Sequence, residues 1–302
     1  ITEAAKKLYI SQPSLTNAIH ELEKEMGINI FNRSNKGISP SIEGEVFLGY
    51  ARQVLEQAKV LEDKYKGDDG GKKSFCVSTQ HYSFAVNAFV DLIKRYGQDE
   101  YDFSIRETQT YEIIDDVARM RSEIGILFMN DFNEKVLNKI LRANDLEFHE
   151  LFVAKPHVFI SRKHPLAKND IIINEELEAY PYLSFEQGEH NSFYFSEEIF
   201  STTERKKNIR VRDRATLFNL LIGLNGYTVC SGVIDEKLNG KDIISVPLAD
   251  ESDMRIGYIV HRKAILSRLG NTYLGALANY LTVGSDEPED SVKIPQRKLQ
   301  HR

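Results

Sequence analysis

The sequence predicts a small winged helix-turn-helix, all α apart from the wing, then a long linker helix, then an α/β domain. Three observations carry this. Two short amphipathic segments flank a tight turn within the first 27 residues. An apolar heptad pattern runs from Phe47 to Tyr65. From Phe75 onward, strand-like runs alternate with helical periodicity, which implies a parallel, doubly wound sheet.

The first helix follows Thr2, with Ala4, Ala5 and Leu8 on one side. Tyr9-Ile10-Ser11-Gln12-Pro13 breaks that pattern. Ser11 is suited to cap a second helix, and proline is tolerated in a first turn. Leu15, Ala18, Ile19, Leu22 and Met26 then form an apolar stripe that stops at Gly27, a residue suited to a left-handed cap. Gln12, Ser14, Thr16, Asn17 and His20 lie off the stripe. Short hydrogen-bonding side chains at a helix start can read base edges, and Asn or Gln can pair bidentately with adenine. The same residues also fit the polar face of any soluble helix.

Ile28-Asn29-Ile30-Phe31 reads as a short apolar strand or turn. Asn32 to Gly37 reads as a polar loop whose Arg33 and Lys36 suit a wing lying on phosphates. Ser41 should cap the long helix, with Glu43 favoured by the dipole of its first turn. Along that helix Phe47, Ala51, Val54, Ala58, Leu61 and Tyr65 recur every three or four residues. This seam asks for a second helix, either in a partner copy or in the chain's own domain. Gly67 to Lys73 is polar and glycine-rich, so it marks a hinge and domain boundary.

Beyond it, strands are expected at Phe75–Thr79, Phe103–Thr108 and Ile124–Phe128. Helices are expected around Phe84–Ile93, Ile113–Met120 and residues 132–143. Two strand-like runs flank Pro156 between Phe148 and Arg162. Later come a strand at Tyr182–Phe185, a helix near 192–203 and a strand at Ile209–Val211. A helix through Leu217–Leu224, strands at Tyr227–Cys230 and Ile256–His261, and a closing helix from Leu266 follow. Residues 283–302, acidic and then basic with little to bury, read as a mobile tail.

Several of these residues, taken together, resemble the LysR-type transcriptional regulators. They are Ala4-Ala5, Ser11-Gln12-Pro13-Ser14-Leu15, Ile19-His20-Glu21-Leu22-Glu23, Gly27, Phe31-Asn32-Arg33 and Gly44-Glu45. The strand ending in His164-Pro165-Leu166 and the turn into Gly226-Tyr227 are similar to that family's effector domain. The resemblance implies a winged helix-turn-helix, a dimerising linker helix and a two-lobed effector domain with a periplasmic-binding-protein-like fold. Members usually carry a further helix before the first one here, and a chain starting at Ile1 is expected to lack it. Two residues depart from the family pattern and bear on the operator sequence. A basic or long polar residue is common where Asn17 stands, and an arginine where Lys36 stands.

The expected domains are residues 1–45 for DNA binding, 46–73 for the linker and hinge, 74–282 for effector binding and 283–302 for the tail. Within the effector domain, lobe I is expected at 74–160 and 259–282, and lobe II at 161–258. DNA contacts are expected from Gln12, Pro13, Ser14, Thr16, Asn17, His20, Arg33 and Lys36. Dimerisation is expected through Phe47, Ala51, Val54, Ala58 and Leu61.

Composition narrows the field. The 302 residues are 41% hydrophobic and 28% charged, an ordinary globular balance for two or three domains. The net charge is -6, and residues 1–66 hold nine Lys or Arg against nine Asp or Glu. A strong non-specific phosphate grip is therefore not expected, and local placement of Lys6, Lys7, Arg33 and Lys36 has to serve. Cys76 and Cys230 sit in apolar runs, as buried free thiols in a reducing cytoplasm would. No apolar run is long enough to span a membrane, so neither a membrane partner nor a secreted location is expected. The eight histidines lack ligand spacing, and there is no phosphate-cradling glycine loop or nucleophile elbow. Neither a cofactor, a metal nor an enzyme activity is expected.

The best candidate site lies at the carboxyl ends of the strands, where open α/β sheets bind ligands. Ser78, Thr79, Gln80 and His81 follow the first strand, Thr108 follows the second and Phe128 ends the third. Glu186 and Tyr227 are expected to face them from the second lobe. Hydrogen-bond donors dominate the first two turns, with Glu107 their only carboxylate. The expected effector is thus a small anionic or zwitterionic metabolite, its carboxylate on a helix start. The reading is a DNA-binding, effector-responsive transcription regulator acting as a homodimer or homotetramer. The alternatives are a solute-binding protein without DNA function, and an enzyme on a doubly wound fold.

Overall fold

The computed structural model describes residues 1–34, 37–66, 73–96, 100–190, 192–234, 240–250 and 252–281. The chain divides into two compact units, Ile1–Asp69 and Gly70–Arg302. The first unit holds helices α1 (Thr2–Lys7), α2 (Gln12–Met26) and α3 (Ile42–Lys66). A hairpin of β1 (Phe31–Ser34) and β2 (Gly37–Pro40) lies between α2 and α3.

The ends of α2 follow from its sequence. The Ser14 N–H donates to the Ser11 hydroxyl at 3.2 Å, Pro13 lies in the first turn, and Gly27 closes the helix at φ +68°. Glu23 then fixes the path of the chain. Its Oε1 accepts from the N–H groups of Phe31 at 3.0 Å and Ile30 at 2.8 Å, and these bonds, the Phe31 one foremost, hold its carboxyl below the ordinary range. Most of the expected polar loop is therefore strand, with Arg33 opposite Ile38, because Glu23 anchors the first residue of a hairpin ladder. Ile28–Ile30 precede that strand instead of forming it. Ser41 caps α3, accepting from the Gly44 N–H at 2.8 Å. Gly44 packs so tightly that a Cβ there would stand 1.9 Å from the Ile30 carbonyl oxygen.

The second unit is two five-stranded sheets. The first has the order β4 (Tyr101–Glu107), β3 (Lys73–Thr79), β5 (Ile124–Met129), β12 (Met254–His261) and β6 (Leu146–Ala154). Strands β3, β4 and β5 are parallel, and β12 runs antiparallel to both β5 and β6. Helices α4 (Ser83–Tyr96) and α9 (Arg268–Leu281) pack together on a core of Phe75, Val77, Phe84, Leu92 and Tyr273. Helices α5 (Thr110–Ala118) and α6 (Glu134–Ala143) share a second core with Leu127, Met129 and Ile259. Strand β5 is buried along its whole length, which is why its sequence is apolar without alternation.

The second sheet has the order β11 (Ile243–Pro247), β7 (His157–Ser161), β10 (Tyr227–Cys230), β8 (Tyr182–Phe185) and β9 (Asn208–Val211). The short α7 (Asn174–Leu177) precedes β8, and α8 (Arg214–Leu224) packs Leu217 and Leu221 against Leu183 and Phe159. Both lobe boundaries differ from the sequence reading. Strand β7 belongs to the second sheet, because Pro156 cannot extend the β6 ladder and the chain crosses there. Strand β12 belongs wholly to the first sheet, so the return crossing comes before Met254 and not at residue 258. The two crossings lie side by side: the Leu248 N–H donates to the Pro156 carbonyl at 3.0 Å, and Lys155 pairs with Asp253 at 2.9 Å.

The helix expected near 192–203 is a short 3-10 turn, Phe193–Phe195, followed by turns. Phe195 and Ile199 are spaced as on a helix, but Glu197 and Glu198 are buried too, and Phe200 takes a left-handed φ of +60°. Strand β11 was not legible, because its alternation is short and irregular. The tail beyond residue 281 lies outside the described residues.

Candidate functional site

Two surfaces concern function, one in each unit. On α2 the side chains of Gln12, Pro13, Ser14, Asn17 and His20 are exposed, and Thr16 is half-buried. Gln12 Nε2 donates to Thr16 Oγ1 at 3.1 Å, and the Ser11 and Ser14 hydroxyls are 2.7 Å apart. The helix start thus presents a pre-ordered row of polar groups to solvent. Arg33 on β1 is exposed, while Lys36 lies outside the described residues. On α3, Val54 and Leu55 are 67% and 68% exposed, Ala58 is exposed, and Phe47 and Ala51 are half-buried. The Leu61 side chain lies outside the described residues.

In the second unit the two sheets meet at the carboxyl ends of β3, β4 and β8. The turn after β3 carries His81 across the gap. Its backbone N–H donates to Glu197 Oε2 at 3.0 Å, and its Nδ1 lies 2.9 Å from the same oxygen. Its Nε2 lies 3.1 Å from the Arg212 carbonyl, and its ring stacks on Phe185 at 3.8 Å and 3°. Both ring nitrogens face acceptors, so both must donate, which makes the ring an imidazolium. Burial opposes that charge, but the Glu197 carboxylate beside the ring outweighs it, and the pKa of His81 is raised.

A second clasp lies beside the first. The N–H of Thr110, at the start of α5, donates to Gln187 Oε1 at 3.0 Å, and its hydroxyl donates to the Phe195 carbonyl at 2.7 Å. Gln187 Nε2 in turn reaches Glu197 Oε1 at 3.3 Å. Arg214 at the start of α8 pairs with Glu107 at 3.0 Å. Burial raises the Glu107 pKa, and Arg214 opposes that rise. Tyr111 stacks on His190 at 3.5 Å, and Phe132 on Tyr194 at 4.8 Å.

Beside Glu197 stands Glu198, 3% exposed, accepting from the Phe185 N–H at 2.7 Å and the Ser196 hydroxyl at 3.0 Å. Burial, and then the neighbouring Glu197 charge, push its carboxyl up to about 8. Among the described residues, two small cavities lie in the gap. A cavity of about 40 Å³ is lined by His81, Phe185, Glu197, Arg214 and Ser231. One of about 170 Å³ is lined by Phe128, Asn130, Phe132, Glu198 and Thr202. The first holds about one water, and both fall below the roughly 300–1,000 Å³ of ordinary ligand pockets. The gap is closed on the protein's own side chains.

The expected site residues divide accordingly. His81 is in the gap and Phe128 lines its larger cavity. Gln80 lies just behind, fully buried: its Nε2 donates to Thr110 at 2.6 Å and its Oε1 accepts from the Phe128 N–H at 2.9 Å. Thr79 spends its hydroxyl on the Gln80 carbonyl at 2.7 Å, and Thr108 spends its own on Glu112. Ser78 faces into lobe I, held by Asp116 at 2.6 Å and Ser122 at 2.8 Å, because β-strand alternation turns it away from Thr79. Glu186 pairs with Arg212 near the gap.

Tyr227 is misplaced in the sequence reading. It begins β10, whose other end, Cys230 and Ser231, lines the gap. The expected excess of donors is also corrected, since Glu197 and Glu198 join Glu107 there. These two and Arg214 escaped the sequence reading. The signal was an acidic pair inside the run Phe193-Tyr194-Phe195-Ser196-Glu197-Glu198-Ile199-Phe200, where charge in an apolar stretch implies buried partners. Among the described residues, no group of three His, Cys, Asp or Glu is placed to hold a metal, and no helix is long and apolar enough to cross a membrane.

Comparison with known proteins agrees with this architecture. Residues 1–45 match the model of the bacterial regulatory helix-turn-helix protein, lysR family, and residues 75–281 match the LysR substrate binding domain. An uncharacterised HTH-type transcriptional regulator of Bacillus subtilis, YybE, is 25% identical over 62% of this chain. The match spans about three fifths of that relative's length, 62%. Another, YbhD of Escherichia coli, is 24% identical over 97% of this chain and 91% of its own length. A full-length OxyR variant from Pseudomonas aeruginosa shares the fold, with a TM-score of 0.63 at 18% identity and 91% coverage of both chains.

Proposed function

The chain belongs to the LysR family of bacterial regulatory helix-turn-helix proteins, and from that premise we infer that it is a DNA-binding transcription regulator controlled by a small molecule. It works in the cytoplasm as a homodimer or larger homo-oligomer, and as a regulator, not a catalyst. The observation that carries this reading is the gap between its two lobes, closed by Glu197 on the backbone N–H of His81. A protein carboxylate occupies the helix-start position that a ligand carboxylate would take. An effector with a carboxylate would displace Glu197 from His81 and Gln187. Glu197 would then face the rest of the ligand, which favours a zwitterion with a cationic group over a simple anion.

On the DNA side, Gln12, Ser14, Thr16 and Asn17 supply the base contacts from α2, and Arg33 a phosphate contact from the wing. The test selects operator fragments from a random DNA library with the purified chain, then measures affinity against salt. Asn17→Ala should lose about 1–3 kcal/mol at one base pair and relax specificity there. Arg33→Ala should weaken all sequences alike and flatten the salt slope. A library that yields no enriched sequence, or an Asn17→Ala protein with unchanged preferences, would remove this assignment. For the effector, thermal shifts against α-amino acids and simple carboxylic acids are compared. A response to the carboxylic acids alone would reject the zwitterion.

A further inference from the structure

The second sheet has a pocket at the end opposite the gap. Strands β8, β9 and β10 are parallel, and their carboxyl ends point to the gap. Near their amino ends lies a cavity of about 300 Å³, within the size range of ligand pockets. Its lining includes Asn174, Tyr180, Thr203, Arg205, Lys206 and Tyr227.

Arg205 organises it. Its guanidinium carbon stands 4.6 Å from the Tyr182 ring centroid and 5.5 Å from that of Tyr227. Its Nη1 donates to the Tyr227 hydroxyl at 2.5 Å. Among the described residues it has no ion-pair partner. Its Nε is buried without a hydrogen-bond partner, and so is the hydroxyl of Tyr182, a residue only 5% exposed. The Tyr227 hydroxyl, having accepted from Arg205, still has a proton to give. A guanidinium with an unpartnered donor and no ion pair, beside a hydroxyl with a proton to give, asks for acceptor oxygens that carry negative charge. Three exposed carboxylates, Glu175, Glu178 and Glu204, also line the pocket and would repel a large polyanion such as DNA.

We propose that this pocket is a second small-molecule site, in which Arg205 holds a small oxyanion, a carboxylate or phosphate group, apart from the interlobe gap. Tyr227 supplies a neighbouring hydroxyl donor, and Lys206 adds charge beside it.

The test follows the unfolding midpoint of the full chain against sodium phosphate and against sodium acetate, with sodium chloride holding ionic strength constant. Saturable stabilisation is expected. Saturation with phosphate alone identifies a phosphate group, and saturation with acetate that Arg205→Met weakens identifies a carboxylate. Arg205→Met should raise the half-saturating concentration at least about tenfold, as loss of a charge-assisted bond does. Tyr227→Phe, which keeps the packing, should raise it about threefold and carries the test if Arg205→Met does not fold. His81→Gln, in the other site, should leave it unchanged. The proposal fails if neither anion saturates, if a folded Arg205→Met or Tyr227→Phe protein binds like wild type, or if His81→Gln alone abolishes the effect.

Discussion

His81 and Glu197 join the two lobes through a pair of contacts on one carboxylate oxygen, 3.0 Å from the backbone N–H and 2.9 Å from Nδ1. The ring completes all of its bonds only when it is charged, because the other ring nitrogen faces the Arg212 carbonyl at 3.1 Å. Deprotonation leaves one nitrogen lone pair against an acceptor, and the clasp loosens. The closed gap is therefore coupled to pH through His81, whose pKa is raised because the Glu197 carboxylate outweighs burial.

The pKa of His81 is raised in the folded state. Its contribution to stability is thus fully present below the unfolded value of 6.5 and is lost as pH rises through the higher folded value. His81→Gln keeps one donor but cannot titrate. Denaturant unfolding across pH 5.5 to 9 should show a variant about 1–3 kcal/mol less stable at the acid end. The deficit should shrink as pH rises. A deficit constant across that range would show that His81 is not charged in the closed form.

Glu198 contributes a slope of the same sign. Its carboxyl is neutral in the folded protein up to about 8, against 4.5 when unfolded. Between those values the folded state holds a proton that the unfolded state has released, so stability falls as pH rises. Glu198→Gln replaces the neutral acid by a neutral amide of similar shape. It should match wild type near pH 5 and exceed it near pH 9, flattening the curve. Equal slopes in the two proteins would place the titration elsewhere.

These two residues also mark how far the sequence could be read. The capped ends of α2, the turn after β3 and the apolar β5 were legible because local chemistry fixes them: Ser11, Gly27 and an unbroken buried strand. Glu197 was not, because its role depends on His81, 116 positions away. Its apolar surroundings signal a buried charge, but nothing in them names His81 as the partner. Tyr227 was placed on the correct strand but at the wrong end, since strand direction relative to the gap is set by sheet order, which local pattern does not encode. Ser78 and Thr79 part company because neighbours on a strand point to opposite faces, which adjacency in sequence does not show.

Gly44 offers a test of the first unit. A Cβ there would meet the backbone of Ile30, with the carbonyl oxygen at 1.9 Å and the carbonyl carbon at 2.6 Å. Backbone cannot move aside as a flexible side chain can. Gly44→Ala should therefore push α3 away from the strand that Glu23 anchors, costing about 1–3 kcal/mol or more. Circular dichroism melts of the variant should show an earlier transition for this unit, with that of the second unit unchanged. A variant melting like wild type would mean that the approach of α3 to Ile30 is looser than described.

The exposed face of α3 makes the last prediction. Val54 and Leu55 are 67% and 68% exposed, and Ala58 beside them is exposed too. In a lone chain these side chains touch water, so charging them should cost its fold little. If a second copy covers them, charge placed there loses its hydration without gaining a partner. Val54→Glu with Ala58→Glu puts two carboxylates at i and i+4 on that face, opposite the same two in a symmetric partner. Sedimentation should show wild type at twice the chain mass or more and the double variant as a folded monomer. DNA affinity should fall with it, because two half-sites are then no longer read together. A folded double variant of unchanged mass would mean that the copies meet through another surface.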